Sequence, residues 1–187
     1  MLRQIASRKT ALLGLLAAAA LVVPMAVTST PASAGLASTT TAPKCVTSHL
    51  QVWLGIPGGS AAGSTYYQME FTNVGSTACT LYGFPGVSAW TNGHMVGSPA
   101  SWVHTVPTHS VTLLPRMTAH TVLRVVNVGV YPSSVCKPVT ATAIRVFPPN
   151  NTVAAFIPYQ IKACSATGTH YLAVWGPTVP GVGIPQH

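Results

Sequence analysis

From residue 35 onward the chain has only 19 of the straight-chain residues Leu, Glu, Gln, Lys and Arg, against 45 Val, Thr and Ile in 153 positions. Branching at Cβ stiffens χ1 in a helix and suits the half-buried, pleated surface of a sheet. The supply of residues therefore favours an all-β fold. Alternation places the strands: Leu50, Val52 and Leu54 alternate with His49, Gln51 and Trp53, and Tyr67, Met69 and Phe71 alternate with Tyr66, Gln68 and Glu70. Further strands are expected at 87–90, 111–114, 121–127, 142–147, 153–157 and 171–175, which makes about eight short strands in all. Turn residues separate them, among them Pro57-Gly58-Gly59, Pro85-Gly86 and Pro148-Pro149-Asn150-Asn151. Asn92-Gly93, between Ser88-Ala89-Trp90 and His94-Met95-Val96, predicts a two-residue type I′ hairpin. With no helical crossover between strands, the expected fold is an antiparallel immunoglobulin-like β-sandwich, a small barrel being the alternative.

The N-terminal segment has a different character. Arg3, Arg8 and Lys9 precede an apolar run from Ala11 to Val27, which is followed by the small-residue site Ala32-Ser33-Ala34. That pattern reads as a secretory signal peptide over 1–34, cleaved after Ala34; an uncleaved membrane anchor is the rival reading. No Cys lies there to carry a lipid. The remaining organisation reads as a flexible linker at 35–43, a β-sandwich domain at 44–176 and a Pro/Gly-rich tail at 177–187. The expected location is secreted or extracellular, either free or held non-covalently in the cell wall, with no stable membrane span left after cleavage.

Charge narrows the function classes. The whole chain has one acidic side chain, Glu70, and after residue 34 six basic residues stand against it, for a formal charge of +5. Those six are scattered singly, without the basic clustering of a nucleic-acid groove, so no nucleic-acid partner is expected. A single carboxylate leaves little for acid/base catalysis, and no nucleophile elbow accompanies any serine, so the chain is read as no enzyme. Gly58–Ser64 is glycine-rich but lacks the Lys-Ser/Thr of a phosphate loop and reads as a mobile hairpin loop. The seven histidines (49, 94, 104, 109, 120, 170 and 187) show no metal-ligand spacing. No metal and no cofactor are expected.

Four cysteines, Cys45, Cys79, Cys136 and Cys164, predict two disulfides in an oxidising compartment. Three connectivities are possible; the sequential one, Cys45 with Cys79 and Cys136 with Cys164, is the expectation. Glu70 is expected to form a cross-strand ion pair with Arg124 or Arg145. The aromatics Trp53, Tyr66, Trp90 and Trp102 are the candidate binding surface, since flat rings stack on sugar CH faces; the competing reading makes at least one of them the core tryptophan of a sandwich.

The run Thr65-Tyr66-Tyr67-Gln68-Met69-Glu70-Phe71-Thr72-Asn73-Val74-Gly75-Ser76-Thr77-Ala78-Cys79, continuing through Gly83-Phe84-Pro85-Gly86-Val87, resembles the signature of the domain-of-unknown-function family numbered 4232, found in exported actinobacterial proteins. Val111-Thr112-Leu113-Leu114-Pro115, Cys136, Arg145-Val146-Phe147-Pro148-Pro149 and Cys164-Ser165 also fit it. The resemblance implies a β-sandwich module with this four-Cys pattern and no assigned activity. Where relatives usually have a glycine turn after Leu-Pro, this chain has Arg116-Met117, so a longer or differently shaped turn is expected there. Together these readings describe a secreted, non-catalytic cell-envelope or extracellular binding module of unknown ligand, with wall polymer or surface glycan as the candidate partners, the alternative being a purely structural envelope protein without a specific ligand.

Overall fold

A computed structural model describes residues 41–183. The expected signal peptide and residues 35–40 of the expected linker lie outside the described residues, as do 184–187. Eleven strands are present: β1 Leu50–Ala61, β2 Ser64–Asn73, β3 Cys79–Tyr82, β4 Gly86–Thr91, β5 His94–Val96, β6 Ser101–Val103, β7 Ser110–Leu113, β8 Thr118–Val126, β9 Pro138–Phe147, β10 Ala155–Cys164 and β11 Leu172–Pro180. One helical turn, α1 (Ser133–Cys136), precedes β9. The strands form a five-stranded sheet in the order β1-β2-β8-β11-β6, a four-stranded sheet in the order β10-β9-β4-β5, and a small β3-β7 pair. The fold is an antiparallel β-sandwich stapled by two disulfides; among the described strands the short β6 departs from this, pairing parallel to β11, and Lys44 makes an isolated parallel bridge to Thr80 of β3.

Alternation explains which face each strand buries. Met69 and Phe71 of β2, Leu123 of β8 and Leu172 and Val174 of β11 point inward from one sheet. Val87 and Ala89 of β4, Ile144 and Val146 of β9 and Ile157 and Ile161 of β10 point inward from the other, and all belong to one continuous core. Each fully buried side chain of this size contributes roughly 1.5–3 kcal/mol. Tyr67 and Tyr159 meet edge to face across the layers, with ring centroids 5.5 Å apart. The largest buried aromatics are Tyr171 and Phe71, and all four tryptophans are at least partly exposed. The competing reading of a core tryptophan is overturned; Tyr171 fills that role and satisfies its hydroxyl by donating to Val96 O at 3.1 Å.

Several boundaries differ from the sequence expectation for identifiable reasons. Asn92 and Gly93 adopt φ of 48° and 78°, as the I′ hairpin requires. By contrast Pro57-Gly58-Gly59, read as a turn, lies within β1, whose register shifts there. β1 is an edge strand, where a proline costs no ladder hydrogen bond. The turn comes instead at Ala62-Gly63, with φ of 47° and 71°, so Gly58–Ser64 is a strand end and a tight hairpin rather than a loop. Likewise β10 continues past Pro158 to Cys164, because it too is an edge. β11 runs on to Pro180, into the stretch read as a tail. Of the linker stretch, Pro43 is held against β3, its carbonyl accepting from Thr80 N at 2.8 Å.

The disulfides join Cys45 to Cys79 and Cys136 to Cys164, across 34 and 28 residues. Loops of this length contribute roughly 3–4 kcal/mol each in the chain-entropy model. The first bridge ties the segment before β1 to β3; the second ties α1 to the end of β10.

Candidate functional site

The structure divides the four expected aromatics among three places. Trp53 of β1 and Tyr66 of β2 lie on the outer face of the five-stranded sheet, Trp90 of β4 on the outer face of the four-stranded sheet, and Trp102 of β6 at a sheet edge. Trp102 stacks on Phe84 with centroids 5.5 Å apart and donates Nε1–H to Pro85 O at 2.9 Å, which fixes it to the β3–β4 connection. Trp53 donates to Thr72 Oγ1 at 3.3 Å, and Tyr66 meets Trp175 edge to face at 6.4 Å. Arg124, opposite Tyr66 in register, places its guanidinium 5.6 Å from the Trp175 ring and donates Nε–H to Ser64 Oγ at 3.1 Å.

Glu70 makes no ion pair among the described residues. Its partners in register are Trp53 on β1 and His120 on β8, while Arg124 lies farther along β8 and Arg145 belongs to the other sheet. The expected Glu70–Arg pair is therefore corrected: pairing register, which the sequence does not display, puts both arginines elsewhere. Glu70 is 1% exposed although it faces outward, because residues 181–183 fold back across the sheet. Burial pushes its carboxyl above the usual carboxylate range, against the opposing pull of the Gly183 N–H and of His120.

The aromatic cluster that does assemble lies on the other sheet. Inward-facing Val87, Ala89, Ile144 and Val146 leave Ser88, Trp90, Arg145 and Phe147 on its outer face. Arg145 is at the centre, with Ser88 opposite it on β4 and Phe156 opposite it on β10. Its Cζ lies 4.8 Å from the Trp90 ring centroid and 4.4 Å from that of Phe147. Trp90 meets Phe156 edge to face at 5.7 Å, and Met95 of β5 adjoins Trp90 in register. Phe156 and Met95 are 52% and 48% exposed, so the cluster presents an apolar surface around a guanidinium. Of these residues only Trp90 was singled out as a surface candidate. Alternation of Arg145 and Phe147 was legible, but their meeting with Trp90 and Phe156 depends on the β10-β9-β4 order.

A depression beside β7 and β11 contains His109 and Ser110 among Val106, Pro107, Val111 and residues 177–180; the chain's single acid does not line it. Among the described residues no three His, Cys, Asp or Glu side chains converge as metal ligands. Within the same residues no helix is long and apolar enough to cross a membrane.

The family model described as Domain of unknown function (DUF4232) matches residues 45–176. The chain belongs to this family. The DUF4232 match runs from the first cysteine to the middle of β11, taking in both disulfides and the whole Arg145 cluster, and stops short of the 181–183 segment that covers Glu70. No match was found among the curated proteins or among the solved structures.

Proposed function

We propose that this DUF4232 domain is an exported, non-catalytic binding module that engages wall polymer or surface glycan through the outer face of its four-stranded sheet. The observation that carries this reading is the cluster of exposed Phe156 and Met95 with half-buried Trp90 and Phe147 around Arg145. Apolar and aromatic side chains grouped on one outer face, instead of dispersed singly, mark interaction surfaces. The two disulfides support export, since such bridges persist in oxidising compartments. The N-terminal signal pattern of the sequence points the same way.

Retention of the secreted protein on purified cell envelopes tests the reading. Trp90→Ala combined with Phe156→Ala is expected to reduce retention about tenfold or more, as loss of two stacking rings at roughly 1 kcal/mol each would. Trp102→Ala, on a separate edge, should behave as the wild type. If the wild-type protein is not retained, the binding reading fails and the purely structural envelope role takes its place.

A further inference from the structure

Arg145 is the least satisfied polar group on the proposed binding face. Its Nε–H is buried without a hydrogen-bond partner. Trp90 and Phe147 flank it along the strand direction, one opposite residue 143 and the other at 147, and the guanidinium lies over both rings. With both rings against it and its Nε–H buried, the guanidinium has the edge formed by its terminal Nη groups left to bond a ligand. Among the described residues no acidic group faces that edge: Glu70, the only acidic side chain, is in the opposite sheet and is held by Gly183. A guanidinium stacked in this way is pre-oriented, weakly hydrated, and matched to the two oxygens of a carboxylate. Phe156, opposite Arg145 on β10, and Met95, opposite Trp90 on β5, are half exposed and add an apolar platform of the kind a sugar ring packs against.

We propose that Arg145 makes this face a site for a carboxylate-bearing saccharide, the carboxylate bonding the guanidinium edge while the sugar's CH face rests on the aromatic platform. The proposal builds on the binding-module reading and adds the ligand's charge and class. A neutral sugar would offer the Arg145 edge hydroxyl acceptors but no counter-charge, and a bare phosphate would leave the platform unused.

Titration calorimetry with tetragalacturonate, with its uncharged counterpart galactotetraose and with glycerol phosphate tests it, using the secreted protein. Tetragalacturonate is expected to bind at least about tenfold more tightly than either of the others and to weaken as salt rises. Arg145→Lys, which keeps the charge but loses the planar fork, should cost about tenfold, and Arg145→Gln more. Unchanged melting temperature and near-ultraviolet circular dichroism in the Lys variant show that the face is intact. Equal binding of galactotetraose, or wild-type affinity in both Arg145 variants, overturns the proposal. Equal binding of glycerol phosphate also overturns it, in favour of a general anion site, and absence of binding to all three does so as well. Envelope retention that is lost on removing Trp90 and Phe156 but indifferent to Arg145 would leave the binding-module reading standing without this ligand class.

Discussion

The backbone N–H of Gly183 donates to Glu70 Oε1 at 2.9 Å, closing a short strap over the outer face of the five-stranded sheet. Gly181 N donates to Thr118 O at 2.8 Å, and His120 Nδ1–H donates to the Gly181 carbonyl at 2.8 Å. A Cβ on Gly183 would overlap the Gln68 side chain, so glycine there lets the strap lie flat. Glu70 Oε2 has no hydrogen-bond partner, and Oε1 has only one, so the site suits the neutral acid better than the anion.

This sets the sign of a pH dependence. A carboxyl whose pKa is raised on folding adds stability that is fully present below its unfolded value and is lost as pH rises through its folded value. Wild-type unfolding free energy, measured in urea from acid to neutral pH, should therefore fall relative to that of Glu70→Gln as pH rises. The groups facing Glu70 are His120 on β8, Trp53 on β1 and the Gly183 amide, with Tyr66 and Arg124 farther along the face; the comparison with Glu70→Gln isolates the carboxyl. The Gly183 amide shift should titrate in step with it. A difference between the two proteins that is flat, or that grows with pH, would refute the assignment.

The Leu114–Met117 connection is a four-residue type II turn, closed by Met117 N to Leu114 O at 3.0 Å with Arg116 at φ 68°. Arg116 adopts there the left-handed conformation that glycine would take without strain. That conformation costs a non-glycine residue about 1–2 kcal/mol, and the extra freedom of glycine in the unfolded chain offsets about 0.4–1 kcal/mol of it. Arg116→Gly should raise stability by about 0.5 kcal/mol, with Arg116→Ala near wild type since the side chain is exposed. Chemical denaturation of the three proteins checks this, and a less stable Gly variant would contradict it.

Gly97 has φ 63°, and a Cβ there would run into the backbone carbonyl of Cys164 at the end of β10. That carbonyl belongs to a strand end fixed by the Cys136 bridge, so it has little room to yield. Gly97→Ala should cost about 2–3 kcal/mol. Gly93→Ala provides the contrast: φ is 78° but a Cβ would meet open space, so the expected loss is only about 1 kcal/mol. Equal losses in thermal unfolding would show that backbone strain alone, and not the Cys164 contact, sets the cost.

The legible parts of the fold were those encoded by neighbours in sequence. Met69 and Phe71 inward against Gln68 and Glu70 outward, and the Asn92-Gly93 hairpin, follow from a period of two and from φ preference. Strand ends at Pro57 and Pro158 were misjudged because a proline ends a central strand but not an edge strand, and edge position is a property of the assembled sheet. The short β3 and β6 were missed as well.

The sequence by itself determined the β class, the inward-facing residues of the principal strands and, through four cysteines, the supply for two bridges. These depend on side-chain chemistry and on contacts a few residues apart. Only the tertiary structure decided which cysteines joined, that Arg145 stands between Trp90 and Phe147 with Phe156 beside it, and that Glu70 is covered by residues more than a hundred positions away. Each of those outcomes depends on strand order and register, which emerge when whole sheets pair and pack, and which local alternation cannot carry.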